Sequence, residues 1–197
     1  MREDRFFPEG TIPEYTLPEW YEGRETAPHV DQDMHRPRLE CAANLVCSVW
    51  TPGDTVVDLG SGDGGLLWLL DDVVPPGNKW GYDLQPTNVA AATGRGQDVR
   101  YGNVLTDPIE WGTIAIATEM IEHLCDPHGF LRDAAERATW LIASSPWTES
   151  HANHYEFHAW AWDVEGYAAM LQSNGWIVTQ HETPGNFQVA LARSALQ

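Results

Sequence analysis

A chain of 197 residues with 43% hydrophobic content is long enough for one domain with a full core and room for a small appendage. Its formal net charge of -18 disfavours binding to a phosphate backbone, which needs basic surface, and no run of about 18 apolar residues is present to span a membrane as a helix. The start Met1-Arg2-Glu3-Asp4-Arg5 lacks a signal-peptide apolar stretch, and Cys41, Cys47 and Cys125 show neither disulfide nor metal-ligand spacing. A cytoplasmic protein with its cysteines as small core residues is expected. Between Ala138 and Ala192 there is no Lys or Arg, which predicts an acidic pocket wall suited to neutral or cationic partners.

Residues 1–34 are rich in Pro, Glu and aromatics without periodicity, and read as an irregular arm or lid. Leu39, Ala43, Val46 and Trp50 recur at helical spacing and predict a helix over 36–50. Pro52-Gly53-Asp54 turns into a strand carrying Val56, Val57 and Leu59, followed by a glycine-dense turn and a short helix to Leu70. A second strand is predicted over 79–84, then a helix opened by Pro86, a strand over 98–101 and another over 113–118. Phe130, Leu131, Ala134 and Ala138 share one face of a helix over 127–138, and a strand runs from Trp140 through Ser144. The last helix, 163–173, stops at Asn174-Gly175, and strands over 176–180 and 186–192 end the chain around Pro184-Gly185. Alternating strands and helices predict an α/β, Rossmann-like doubly wound sheet of about seven strands, mostly parallel with an antiparallel C-terminal hairpin strand. Ligands in such sheets bind at the carboxyl ends of the strands.

The first of these ends is Val56-Val57-Asp58-Leu59-Gly60-Ser61-Gly62-Asp63-Gly64-Gly65. The spacing of Gly60, Gly62 and Gly65 fits a dinucleotide fingerprint. Asp58 and Asp63 argue against a pyrophosphate, which would meet like charge, and favour a ligand with positive charge and no phosphate. S-adenosylmethionine (SAM), with its ammonium and sulfonium, is such a ligand. The run Asp58 to Gly64 resembles the first motif of class I SAM-dependent methyltransferases. Thr118-Glu119-Met120-Ile121-Glu122-His123-Leu124-Cys125-Asp126-Pro127 resembles the fourth motif of that superfamily, often read Glu-x-x-Glu-His-Leu-x-Asp-Pro, which has no counterpart in the dinucleotide reading.

The resemblance covers about Leu39 to Ala192 and implies a division into an N-terminal arm, 1–34, and a SAM-binding domain, 35–197. It implies SAM binding by Asp58, Gly60, Ser61, Gly62, Asp83, Leu84, Asn103, Val104 and Glu119. Asp83 would accept both ribose hydroxyls, and Asn103 the adenine amino group, where the family more often has Asp. Glu122 and His123 would face the acceptor, and His123 or His158 would take its proton. A Glu-aromatic-His segment, here Glu156-Phe157-His158, often borders the acceptor pocket in the family. Trp147, Trp160 and Trp162 could wall that pocket as an aromatic cage, with His151 and His154 close by in sequence. The acceptor is expected to be a small molecule or peptide, with no metal ligand set assigned. Two alternatives use the same residues: a metal-assisted RNA 2'-O-methyltransferase with Glu119, Glu122, His123 and His158 as ligands, and a non-catalytic SAM-binding protein.

Overall fold

The computed structural model describes residues 1–24 and 29–197, so residues 25–28 of the predicted arm lie outside the described residues. In chain order the elements are β1 (Glu3–Arg5), α1 (Pro18–Glu22), α2 (Arg36–Val49), β2 (Val56–Leu59), α3 (Gly65–Leu69), β3 (Lys79–Asp83), α4 (Pro86–Gly94), β4 (Val99–Tyr101), β5 (Ile114–Thr118), α5 (Pro127–Arg137), β6 (Trp140–Pro146), β7 (Trp160–Trp162), α6 (Val164–Ser173), β8 (Trp176–Glu182) and β9 (Phe187–Ser194). A seven-stranded sheet runs in the order β4-β3-β2-β5-β6-β9-β8. β2 to β6 pair in parallel, and β9 pairs antiparallel with both β6 and β8. The Rossmann-like sheet with an antiparallel C-terminal hairpin is therefore the fold. Among the described residues no helix is long and apolar enough to cross a membrane.

Alternation along the buried strands sorts side chains onto two faces, as the two-residue period of a strand requires. Val57, Leu59, Ala115 and Ala117 pack with Phe130, Leu131, Tyr167 and Leu171 of α5 and α6. Val56, Ile114 and Ile116 pack with Leu39, Val46 and Leu66 of α2 and α3 on the other face. Side-chain caps fix two helix starts: Asp126 accepts from the Gly129 N–H, and Asp163 from the Gly166 N–H. At the other end of α6 Gly175 takes φ +91, as the Asn174-Gly175 stop predicts.

The arm is more regular than its sequence suggests. β1 pairs antiparallel with β7 as a separate two-stranded sheet, register Glu3 to Trp162. The buried Trp162 indole donates to Glu3 at 2.8 Å, and Phe6 stacks on His154 at 3.7 Å between ring centroids. The cysteine expectation holds for one of the three: Cys41 is half-buried and packs against the core, whereas Cys125 is half-buried outside it and Cys47 is exposed.

Candidate active site

The carboxyl ends of β2 to β6 open into one cavity of about 820 Å³. All nine residues expected at the cofactor line it: Asp58, Gly60, Ser61, Gly62, Asp83, Leu84, Asn103, Val104 and Glu119. The glycine turn owes its shape to left-handed backbone at Gly60 (φ +74), Gly62 (φ +57) and Gly64 (φ +73), which a side chain would strain. The turn wraps the end of β3. Gly60 and Ser61 N–H both donate to the Tyr82 carbonyl at 2.9 Å, and Gly62 N–H donates to Asp83 Oδ2 at 2.8 Å. Asp83 also accepts from the Gln85 N–H at 2.8 Å and Asn88 Nδ2 at 3.1 Å. Burial nonetheless raises its carboxyl above the ordinary range, because desolvation outweighs these bonds.

Asp58 is buried, accepts only from Ser61 Oγ at 3.0 Å, and leaves Oδ1 without a partner. Burial, with Asp83 nearby, pushes it up to about 7 against the opposing Ser61 bond. Asp63 behaves differently from the expectation. Its Oδ2 takes the Arg95 guanidinium at 2.8 Å and its Oδ1 the Gly65 N–H at 3.2 Å, so Asp63 offers no free charge to a ligand. Asn103 is committed too: its Oδ1 accepts from the Leu105 N–H at 2.9 Å, leaving one lone pair on that oxygen for an adenine.

After β5 the backbone of Glu119 stands at φ +53, the one non-glycine positive φ among the described residues, and such strain concentrates at functional sites. Glu119 N–H lies 3.1 Å from Ser144 Oγ, and Glu119 Oε1 accepts from that hydroxyl at 2.8 Å. Glu122 is fully buried, neither carboxylate oxygen has a hydrogen-bond partner, and burial with Glu119 nearby raises its carboxyl well above the ordinary range. His123 Nδ1 sits 3.0 Å from the Phe157 carbonyl, and burial lowers the ring to about 3, so it is neutral near pH 7. His158 Nδ1 lies 2.7 Å from Glu149 Oε2, and the two imidazoles meet edge to face at 4.6 Å. Glu122, His123 and His158 lie together. His123 and His158 line the cavity, but the expectation that Glu122 faces the acceptor fails: its side chain is fully buried and does not reach the cavity.

Two further expectations are overturned. None of Trp147, Trp160 and Trp162 lines the cavity. Trp162 is core, Trp160 stacks parallel to it at 6.1 Å and donates to the Leu124 carbonyl, and Trp147 donates to Gly185 O at the surface. Tyr21 and Tyr155 supply aromatic lining instead. His151 and His154 pack against Phe6, away from the cavity. The wall is not free of cations either, because Arg24 from the arm and Arg38 from α2 reach it from outside the span 138–192. Arg38 is 1% exposed, its Nε has no partner, and its guanidinium lies 5.3 Å from the Phe187 ring centroid. Sequence reading passed over Arg38 and Glu149. An Arg among apolar helix positions was the only available signal for Arg38, and Glu149 lies in a loop with no pattern.

No protein-family model and no curated protein sequence matches the chain. Solved structures do resemble it. A chain from the Haloferax volcanii complex of the Trm112 methyltransferase activator with a methyltransferase superposes with TM-score 0.69 at 19% identity, covering 82% of this chain and 90% of that one. Human N-acetylserotonin methyltransferase, solved with SAM, gives TM-score 0.59 at 16% identity over 80% of this chain and 55% of its own. The [4+2]-cyclase SpnF gives TM-score 0.67 at 12% identity over 87% and 88%. The chain has the fold of the class I SAM-dependent methyltransferases. The presence of a cyclase among these structures means that the reaction must be argued from the site.

Proposed function

We propose that the chain transfers a methyl group from SAM to a small-molecule or peptide acceptor. The observation that carries this reading is a pair of unlike charges. Asp58 and Arg38 are both buried, both line the cavity, and each keeps a polar atom without a partner. A buried charge without a partner is costly, so the pair suits a ligand that brings both signs. The methionine end of SAM does so. Asp58 would meet its cationic side and Arg38 its carboxylate. Asp83 would accept the ribose hydroxyls with the same carboxylate that anchors the Gly62 N–H. Leu84, Asn103 and Val104 would frame the adenine, and Glu119 would stand beside the methionine part.

SAM supplies an electrophilic methyl group on a sulfonium sulfur. The protein's share is alignment and exclusion of water. The described part of the N-terminal arm acts as the lid, since Leu17, Tyr21 and Arg24 line the cavity. His123 and His158 form the acceptor side, with the buried Glu122 beside them. With Nδ1 of each ring engaged, the free Nε2 lone pairs accept the acceptor's hydrogen. Glu149 is a positioning residue that fixes the His158 tautomer. Incubation with SAM and a panel of hydroxyl, amine and peptide acceptors, read as S-adenosylhomocysteine (SAH) release, is expected to show turnover. SAM binding without turnover across the panel would favour a non-catalytic SAM-binding protein instead.

A further inference from the structure

The chain carries 29 acids against 11 Lys and Arg, so a cation without a counter-charge is unexpected in it. Arg24 lines the cavity and forms no ion pair among the described residues; its contacts are two aromatic rings and a phenol. The acids that line the cavity with it are occupied. Asp63 holds Arg95, and Asp83 takes N–H donors from Gly62, Gln85 and Asn88. Glu119 takes the Ser144 hydroxyl, and Glu149 takes His158 and the Tyr155 N–H. Asp58 and Arg38 serve the methionine end of SAM in the proposed function, which leaves Arg24 as the unmatched charge.

Arg24 is also held in place. Its guanidinium lies 4.2 Å from the Trp20 ring centroid and 5.7 Å from that of Phe157, and Nη2 donates to the Tyr155 hydroxyl at 3.3 Å. Its backbone carbonyl accepts from Thr87 Oγ1 at 3.0 Å. Tyr155 and Phe157 belong to the segment that carries the acceptor side: the Phe157 carbonyl engages His123, and the Tyr155 ring meets His158 at 5.2 Å between centroids. After burial and His158, the Arg24 charge helps to keep the His123 ring neutral, so it acts within electrostatic reach of that ring. A planar guanidinium stacked on an aromatic face keeps N–H donors at its edge for a carboxylate. Tyr21, three residues before Arg24, lines the same cavity, and its buried hydroxyl has no partner.

We propose that the methyl acceptor is a small aromatic carboxylic acid whose carboxylate binds Arg24 and the Tyr21 hydroxyl, with its ring against Tyr21 and Tyr155. The inference names the substrate class of the function proposed above and rests on that reading for the methyl transfer, though not for the binding. The formal net charge of -18 does not forbid such a ligand. Exposed charges are screened beyond about 8 Å at physiological ionic strength, so the direct contact with Arg24 outweighs the distant acids.

The test is calorimetric titration of SAH-loaded and SAH-free protein with para-hydroxybenzoate, para-hydroxyphenylacetate and para-hydroxyphenylpropionate, each against its uncharged carboxamide. At least one acid is expected to bind about 10- to 100-fold tighter than its amide, the worth of a charge-assisted contact. In Arg24→Gln that preference should vanish while the amide still binds. SAH affinity is measured in the same samples. Protein that takes up no SAH yet prefers the acids defeats the methyl-transfer reading and leaves the acid site standing; protein that binds SAH and ignores the acids does the reverse. The comparison of acid with amide in wild type needs no variant, so it decides the matter even if Arg24→Gln fails to fold. Glycyl-tyrosine, free and amidated at its C-terminus, separates a peptide carboxylate from a small acid. No preference for any acid over its amide in wild type, a preference that survives Arg24→Gln, tighter binding of the free dipeptide than of all three acids, or inorganic phosphate that displaces the acids at equal concentration would overturn the proposal.

Discussion

Asp58→Asn is expected to stabilise the protein at pH 8 and weaken it as a binder. Asp58 is buried, and its folded-state carboxyl is raised from 3.8 to about 7. Between those values the folded protein holds a proton that the unfolded chain has released. The stability contributed by that proton is fully present below 3.8 and lost as pH rises through about 7. At about 1.4 kcal/mol per pH unit, the span from 3.8 to about 7 corresponds to roughly 4 kcal/mol. Asparagine keeps the shape and has no proton to lose, but its amide N–H₂ would lack an acceptor, costing about 1–2 kcal/mol. Urea unfolding at pH 4 should find the variant slightly less stable than wild type, and at pH 8 about 2–3 kcal/mol more stable. Calorimetry should show SAM affinity reduced about 10- to 100-fold in the variant, the loss of one charge-assisted contact. In wild type that affinity should rise with pH up to about 7, because ligand binding must expel the proton from Asp58. A stability difference that stays constant from pH 4 to pH 8, or unchanged SAM affinity, would refute the reasoning.

Gly64→Ala forces an alanine to φ +73 with its Cβ 3.0 Å from Gln97 Cβ and 3.1 Å from Ala92 Cβ, and should cost about 2 kcal/mol in denaturant unfolding. Glu3→Ala removes the acceptor of the buried Trp162 indole N–H. Because Glu3 is partly exposed and water can reach the gap, the loss should be near 1 kcal/mol, seen as a small fall in Tm. Trp162→Ala leaves a cavity in the core and should cost about 3–5 kcal/mol, with SAH affinity of the folded fraction unchanged because the indole does not line the site.

Apart from β7, the strands and helices from Arg36 onward were legible, the helices by a periodic apolar face and the fully buried central strands by short apolar runs bounded by turn residues. The end of β2 and the turn after β5 were legible because glycines and acids cluster there in short, local patterns. What escaped the sequence is long-range or multiply determined. β1 and β7 are three residues each and stabilise one another only across nearly the whole chain, so neither carries a periodic signal of its own. Trp147, Trp160 and Trp162 could be read as cage or core from composition alone, and none forms a cage: Trp162 is core, Trp160 is half-buried beside it, and Trp147 bonds Gly185 O at the surface. The charge of Asp63 looked available until Arg95, far along the chain, was found on it. Arg38 and Glu149 act through what they face in three dimensions, which spacing does not report.

The central claim is that Asp58, Arg38 and Asp83 turn this cavity into a SAM site. Calorimetric titration of SAH into wild type and into Asp83→Ala addresses it most directly. The account predicts one SAH per chain in wild type and a loss of at least tenfold in affinity in the variant, the worth of a charge-assisted contact. Folded wild type that takes up no SAH would contradict it.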